Sequence, residues 1–473
     1  MYKPVIGLEV HVELNTKSKM FCNCSADYFG KKPNTHTCPV CLGLPGALPF
    51  INKQAIEGCL KIGLALNCTP AEESLFERKN YFYPDLAKGF QTSQYRWPLS
   101  VKGWIDIEDK SGEKKRIRIN RAHQEEDTAK LMHQLGNSKT QETSNNENIT
   151  GIDFNRSGVP LVEIVTEPDF TDSSQIRDYA KKLQQIFRYL GVSNADMERG
   201  DMRLEANVSV REVGNEKWDV RTGKLPPYRV ELKNINSFRF MVAAVEYEIK
   251  RQIELLEAGR DDELRQETRG WDENKKITYV QRSKEEAHDY RYFPEPDLPE
   301  FRVQSSEFRI DDIKKGMPEL PWMKAERFVK ELGLKISDAK ILTEETELAD
   351  IFEKLVKIGR EKEIEPKVLA NYVVNQKIDL LNKDPNQIID DIKSKSVGII
   401  SDEEELDKVC REVIDENGGL VQFYKRSLIP SGDEIKKGNP NMLNVLIGGV
   451  MRKTQGKANA GLVRKILEKL LNG

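Results

Sequence analysis

The chain has few cysteines and histidines and no long apolar segment. Its 473 residues include seven cysteines and five histidines. The cysteines are not arranged as a disulfide framework, so we expect a reducing, cytoplasmic setting. No apolar run approaches the roughly 20 residues of a membrane helix, and the first residues lack a signal peptide pattern. A net charge of −3 with 32% charged residues predicts a soluble protein that does not bind nucleic acid over its whole surface.

Common nucleotide-binding and hydrolase motifs are also absent. The sequence contains no Gly-x-x-x-x-Gly-Lys-Ser/Thr loop, no Rossmann glycine triplet, no kinase motif set and no Gly-x-Ser-x-Gly elbow. The scattered Cys59, Cys68 and Cys410 have apolar or helical surroundings without a nearby histidine, unlike an activated thiolate. Any nucleotide chemistry would therefore need a less common phosphate-binding site.

The other four cysteines fall in one short, turn-rich stretch, as Cys22-x-Cys24 and Cys38-Pro-Val-Cys41. Two such pairs separated by a small loop are typical of a structural Zn²⁺ site, because four thiolates can surround one tetrahedral ion. The alternative is four reduced, partly buried cysteines without a metal. The specific spacing favours zinc.

Four segments place polar side chains on one face of a predicted strand. Period-two alternation does this for Glu9 and His11, and residues 123–127 (HQEED), 203–209 (RLEANVS) and 231–236 (ELKNIN) have the same character. Carboxylates with an imidazole suit Mg²⁺ or Mn²⁺, and lysine and arginine suit phosphates. One such segment alone is better explained as a solvated strand face, but four in one domain favour a site.

Strand and helix patterns divide the chain into a sheet-rich part and a helical part. Period-two alternation recurs up to about residue 235, with amphipathic helices at about 173–190 and 240–258. Alternating prolines at 294–299 forbid a helix and favour an extended linker. We predict an α/β domain over residues 1–293, a helical domain over 294–400 and a small all-α tail over 401–473.

Five long segments match the motifs of one known family. They are residues 6–13 (IGLEVHVE), 78–91 (RKNYFYPDLAKGFQ), 153–169 (DFNRSGVPLVEIVTEPD), 282–297 (RSKEEAHDYRYFPEPD) and 452–459 (RKTQGKAN). The chain resembles, from end to end, the B subunit of the aspartyl/glutamyl-tRNA(Asn/Gln) amidotransferase. The resemblance implies an α+β fold, in which a cradle-like catalytic domain with a mostly antiparallel sheet is followed by the helical domain and the tail.

The resemblance also implies an activity and partners. The enzyme would use ATP and Mg²⁺ to phosphorylate the side-chain carboxylate of Glu-tRNA(Gln), Asp-tRNA(Asn) or both. Ammonia from the amidase, the A subunit, would then form the amide, and the small C subunit would complete a heterotrimer. A non-discriminating aminoacyl-tRNA synthetase is a further candidate partner. The alternative function is a non-catalytic, zinc-containing scaffold that binds tRNA.

Site residues carry over motif by motif. The resemblance implies a magnesium site at Glu9, His11 and Glu125, with Glu205 where many members have aspartate, and the four clustered cysteines match the zinc-binding members. We expect the nucleotide to be bound by Lys79, Tyr83, Lys88, Arg156, Arg203, Asn207 and Lys233. In the tail we expect contacts with the body of the tRNA from Lys436, Lys437, Arg452, Lys453 and Lys457, although a solvated basic helix explains this charge equally well.

Overall fold

The computed structural model describes most of the chain in two compact units. The residues outside the described ranges are 109–111, 134–149, 215–223, 284–289, 306–307, 376–382, 397–401, 428–429, 432–433, 436–439, 455–457 and 473. The first unit comprises Met1–Glu326 with Thr343–Thr346, and the second comprises Arg327–Leu342 with Glu347–Gly473. The division into three domains stays a prediction.

The first unit contains nearly all of the strands. They are β1 (Tyr2–Glu13), β2 (Thr69–Pro70), β3 (Glu73–Ser74), β4 (Glu77–Asn80), β5 (Phe90–Ser93), β6 (Ser100–Glu108), β7 (Lys114–Glu126), β8 (Lys130–His133), β9 (Thr150–Asp153), β10 (Pro160–Thr166), β11 (Met202–Glu212), β12 (Val230–Ile235), β13 (Glu267–Asp272), β14 (Ile277–Ser283), β15 (Phe293–Pro294) and β16 (Phe301–Arg302). Its helices are α1 (Lys53–Ala65), α2 (Ser173–Tyr189), α3 (Phe238–Glu257), α4 (Ile310–Lys315) and a 3-10 turn at Asp261–Glu263.

Nine of these strands form one sheet, in the order β14-β13-β12-β11-β1-β10-β7-β6-β2. Every neighbouring pair is antiparallel except β12 with β13, which is parallel. The α+β prediction is thereby confirmed. Strand β1, from the beginning of the chain, pairs with β10 on one side and β11 on the other.

The two faces of this sheet differ in polarity because side chains alternate along each strand. Leu8, Val10 and Val12 of β1 point to one face and are fully buried. They belong to one core cluster with apolar residues of α1, α2 and α3, such as Leu60 and Leu183. Helix α2 is fixed at its start by Asp172, whose carboxylate accepts a hydrogen bond from the Ser174 amide. The opposite face is left to polar side chains.

The second unit is helical. Helix α5 (Pro321–Leu332) contains the boundary between the units, and the helices and strands that follow are α6 (Ile336–Leu342), α7 (Thr346–Glu361), α8 (Pro366–Asn375), α9 (Pro385–Ser396), α10 (Glu403–Glu416), α11 (Gly418–Ser427), β17 (Pro430–Ser431), β18 (Glu434–Ile435), α12 (Pro440–Lys453) and α13 (Ala460–Asn472). Helices α10, α12 and α13 share a core that includes Val413, Leu446 and Leu467. No helix in the described ranges is both long enough and apolar enough to cross a bilayer.

Candidate functional site

The polar face of the sheet brings the predicted strand residues together. In the antiparallel register, His11 of β1 lies opposite Arg203 of β11 and opposite Glu163 of β10, and Glu163 lies opposite His123 of β7. Glu9 lies opposite Glu205 in the same way. Residues from four distant parts of the sequence therefore share one surface, with β1 in its middle.

One group of possible metal ligands consists of His11, Glu125 and Glu163. His11 Nε2 is 3.9 Å from Glu125 Oε2 and 3.8 Å from Glu163 Oε2. One ligand atom from each of the three side chains lies within 4.8 Å of the other two. One imidazole and two carboxylates form a donor set that suits a divalent cation.

Glu125 and Glu163 are buried and are held as carboxylates. Burial would raise the pKa of Glu125, as would Glu163, but the neighbouring His123 imidazole and the charge of Lys79 lower it to about 2. Glu125 also accepts hydrogen bonds from Gln91 Nε2 at 3.1 Å and Ser93 Oγ at 2.7 Å. These neighbours keep the Glu125 side chain ionised and fixed in position although it is buried away from water.

His123 supplies part of the charge that balances this group. Its Nε2 is 3.1 Å from Glu163 Oε2 and 3.4 Å from Glu125 Oε1. Burial alone would lower the pKa of His123, but Glu163 and Glu125 outweigh it and raise the pKa to about 9. Lys79 also supplies positive charge to this group. Burial alone would lower the pKa of Lys79, but Glu125 outweighs burial and the pKa is raised.

A second group, adjoining the first, consists of Glu9, Glu205 and Glu231. Burial raises the pKa of Glu9, and so do the neighbouring carboxylates of Glu163, Glu205 and Glu231. Lys233 Nζ lies 2.9 Å from Glu205 Oε2 and 3.2 Å from Glu231 Oε1. Three carboxylates facing one lysine leave an excess of negative charge that a cation would relieve.

The four predicted magnesium ligands are thus divided between the two groups. His11 and Glu125 belong to the first, and Glu9 and Glu205 belong to the second. The predicted Asn207 adjoins the second group, because its Nδ2 donates to Glu9 Oε1 at 2.9 Å. The assignment of a metal to these residues stays a prediction.

Two predicted nucleotide ligands have partners away from both groups. The guanidinium of Arg203 forms ion pairs with Asp127 and with Glu13, the latter at 3.2 Å. Arg156 donates to the backbone carbonyls of Thr128 and Ala129, each at 2.9 Å. These arginines hold the end of β7 to neighbouring segments.

The remaining predicted nucleotide ligands, Lys88 and Tyr83, lie on the side of the cysteine-containing loop or at the surface. Lys88 forms an ion pair with Glu126, and both line a cavity of about 260 Å³ together with Cys22, Cys41 and other residues. Tyr83 is 57% exposed. Neither residue is a member of the two carboxylate groups.

The four clustered cysteines converge as their spacing predicts. One sulfur from each of Cys22, Cys24, Cys38 and Cys41 lies within 4.8 Å of the others. The pKa of Cys41 falls to about 5, chiefly through the hydrogen bond from the Cys22 thiol and against the effect of burial. All four positions of a tetrahedral ion could be filled by protein, which is the pattern of structural zinc sites.

Glu163 was not identified as a site residue from the sequence, and Glu231 and His123 were included only as members of polar segments. Glu163 lies in an alternating strand between Leu161 and Val165, so the signal of a carboxylate on one strand face was present. What was missing was the strand order, which makes β10 the direct neighbour of β1. His123 and Glu231 were in polar segments already recognised, but without assigned roles.

Family models and individual known proteins match this chain over nearly its whole length, and the two kinds of match agree. Residues 4–309 match the family model described as the GatB/GatE catalytic domain, and residues 323–471 match the GatB domain. The aspartyl/glutamyl-tRNA(Asn/Gln) amidotransferase B subunit of Thermodesulfovibrio yellowstonii is 45% identical over 500 residues, covering 99% of each chain. The protein of the same name from Thermotoga maritima is 44% identical over 503 residues, covering 100% of this chain and 99% of the relative.

Proposed function

Because this chain belongs to the GatB/GatE family, we propose that it is the component of a tRNA-dependent amidotransferase that activates and amidates the aminoacyl side chain. Its substrate is Glu-tRNA(Gln), Asp-tRNA(Asn) or both. The relatives from Thermodesulfovibrio and Thermotoga carry both specificities in their names. The choice between them therefore belongs to experiment.

The reaction needs two steps because a carboxylate is a poor acyl donor. In the first step a side-chain carboxylate oxygen bonds to the γ-phosphorus of ATP, the β–γ phosphoanhydride bond breaks, and ADP leaves. In the second step ammonia attacks the acyl carbon and gives up one proton, and the carbon–oxygen bond to phosphate breaks. Inorganic phosphate leaves with that proton, and the amide is formed. Both steps need compensation of phosphoryl charge in a site that excludes water.

The observation that carries this proposal is the pair of adjoining carboxylate groups on the polar sheet face. His11, Glu125 and Glu163 would hold one divalent cation, and Glu9, Glu205 and Glu231 offer further carboxylate oxygens beside it. Mg²⁺ bound there would neutralise charge on the phosphoryl oxygens. Oxygen-rich donor sets of this kind fit Mg²⁺.

Lysines next to these groups supply cationic charge from the protein itself. Lys79 is near Glu125 and Glu163, and Lys233 bridges Glu205 and Glu231. We assign them to phosphate neutralisation and Asn207 to holding Glu9 in place. Arg203 and Arg156 are less well supported as nucleotide ligands, because Asp127 and backbone carbonyls already occupy their guanidinium groups.

The nitrogen comes from a partner in this proposal. Burial raises the pKa of Cys59, and it raises the pKa of Cys68 to about 12, so neither is an activated thiolate for glutamine hydrolysis. An amidase partner would supply ammonia, and a small third protein would join the complex. A zinc ion at the four clustered cysteines has a structural role, since no open coordination position is left for a substrate.

The helical tail completes the proposal as a contact for the body of the tRNA. Arg452 and Lys465 are exposed on α12 and α13, and such residues can neutralise phosphates without reading sequence. Lys436, Lys437 and Lys457 lie outside the described residues. Lys453 is engaged by Glu412 and Glu416, at 2.9 and 2.6 Å, so its share of the contact is reduced.

The deciding experiment measures ADP formation by the assembled complex with Glu-tRNA(Gln) and with Asp-tRNA(Asn). Glu125→Gln keeps the size of the buried side chain, and we expect it to reduce ADP formation at least 100-fold while glutamine hydrolysis by the amidase continues. Glu198→Gln, at an exposed glutamate, is the matched control. If Glu125→Gln formed ADP at the parent rate, a non-catalytic tRNA-binding scaffold would explain the chain better than the catalytic function.

A further inference from the structure

Lys19 is completely buried, with 0% of its surface exposed. Moving an ammonium group out of water is costly unless an anion and hydrogen-bond acceptors replace the water. Among the described residues, no carboxylate lies within ion-pair distance of its Nζ atom. The charge of Lys19 must therefore be balanced by something else.

The acceptors around Lys19 point to the cysteine cluster. Its Nζ donates to the His36 carbonyl at 2.8 Å, to the Phe154 carbonyl at 3.3 Å, and to Cys41 Sγ at 3.7 Å. Four thiolates around one Zn²⁺ carry a net charge of −2. The ammonium group lies against one of the four sulfur atoms that would carry this negative charge.

We propose that Lys19 is a positioning residue of the zinc site, whose charged N–H···S hydrogen bond to Cys41 stabilises the metal-bound thiolates. This inference rests on the zinc ion of the proposed function. Such hydrogen bonds draw electron density from sulfur and offset the negative charge of the cluster. This hydrogen bond gives the buried ammonium group an anionic acceptor and gives the buried thiolate a cationic donor.

The same lysine ties the cysteine-containing loop to residues 152–158. His36 belongs to the loop, and Phe154 belongs to the other segment. Parallel contacts join the two, since the His36 amide donates to Asn155 Oδ1 at 2.7 Å and Ser157 Oγ donates to the Cys41 carbonyl at 3.3 Å. Residues 152–158 also include Arg156, which holds the end of β7 at Thr128 and Ala129. Lys19 thus connects the cysteine-containing loop to a segment that is itself held to Thr128 and Ala129, just after β7.

The test compares Lys19→Met with Lys17→Met, since Lys17 is two residues away and exposed. Zinc content of the wild-type chain is measured first, and a value near zero would remove the zinc proposal itself. With zinc present, we expect a chelator to remove it about 10–100-fold faster from Lys19→Met than from wild type. Lys17→Met should behave as wild type.

A spectroscopic readout separates this role from general loosening. In cobalt-substituted protein, loss of the N–H···S bond raises the energy of the sulfur lone pairs, so the thiolate-to-cobalt charge-transfer band should move to longer wavelength in Lys19→Met. Equal release rates and an unchanged band would overturn the inference while leaving the zinc site standing.

Two further measurements cover the case in which Lys19→Met does not fold. Lys19→Gln keeps N–H donors in a polar side chain that is one bond shorter, and it removes the charge, so it should show the same faster release. In cadmium-substituted wild-type protein, NMR should detect coupling between cadmium and the Lys19 Nζ protons through Cys41 sulfur. Absence of that coupling from a resolved Lys19 ammonium signal would contradict the inference without any substitution.

Discussion

Glu163 faces His11 directly across the β1–β10 strand pair, with Glu163 Oε2 3.8 Å from His11 Nε2. Glu163 is also the carboxylate closest to His123, at 3.1 Å. It therefore links the two imidazoles of the site through one side chain. Burial would raise its pKa, but His123 and His11 lower it well below the usual range.

Glu163→Gln should weaken divalent-cation binding at least tenfold, because one of two carboxylates in the first group is lost. Titration with Mn²⁺ followed by electron paramagnetic resonance measures this directly. Glu198→Gln should leave the affinity unchanged. Binding of Mn²⁺ to Glu163→Gln with parent affinity would remove Glu163 from the metal site.

The wild-type chain should contain one zinc ion, and Cys38→Ser should lose most of it, because three thiolates and a hydroxyl bind Zn²⁺ less tightly than four thiolates. Metal analysis of protein purified without chelators gives the ratio. Cys59→Ala, at a cysteine of the apolar core, should retain one zinc ion per chain. Zinc well below one per wild-type chain would show that the cysteines are simply reduced.

Arg203→Met should lower the free energy of unfolding by about 2 kcal/mol, since it leaves the buried carboxylates of Asp127 and Glu13 without their shared cation. Denaturant unfolding of the full chain is the measurement. Arg116→Met breaks an exposed pair with Asp106 and should cost much less. If Arg203 were mainly a nucleotide ligand, Arg203→Met would change ATP affinity and spare stability.

Two consecutive glycines of α12 should respond oppositely to alanine. A Cβ at Gly448 meets no atom within 4 Å, so Gly448→Ala should stabilise the helix by about 0.5–1 kcal/mol. A Cβ at Gly449 would come within 2.9 Å of Val413 Cγ1, a buried side chain, so Gly449→Ala should destabilise. Thermal unfolding followed by circular dichroism compares them. A stabilising Gly449→Ala would mean that α10 and α12 pack less closely than described.

Arg452→Gln should weaken tRNA binding and reduce its salt dependence more than Lys453→Gln does. The reason is that Glu412 and Glu416 already neutralise Lys453, whereas Arg452 is exposed and, among the described residues, forms no ion pair and only a 3.5 Å hydrogen bond to the Gly448 carbonyl. Filter binding at several salt concentrations measures both. Equal and unchanged affinities would remove this part of α12 from the tRNA contact.

The sequence predicted the residue types of the site better than their grouping. Alternation placed Glu9 and His11 on one strand face, and the cysteine spacing predicted a cluster that the structure brings together. It could not show that β10 lies beside β1, because more than a hundred residues separate them and strand order depends on the packing of the whole sheet. Glu163 was missed for that reason.

The ion-pair partners of Arg203 could not be predicted from the sequence for a related reason. Arg203 alternates with Glu205 and shares its strand face, so the pattern suggested a common ligand. The structure directs Arg203 to Asp127 at the end of β7 and leaves Glu205 with Lys233. Which of two neighbouring anions an arginine selects depends on three-dimensional distance and burial, and neither is encoded in period-two alternation.

Strand β1 carries one member of each carboxylate group, Glu9 and His11, and is hydrogen-bonded along both edges. The distance between the two groups is therefore set by a backbone repeat of about 7 Å for two residues, which no loop movement can alter. An insertion of one residue ahead of Glu9 would turn both ligands into the apolar core at once. Each surrounding lysine or arginine can be substituted alone, whereas a change of register in β1 displaces Glu9 and His11 together.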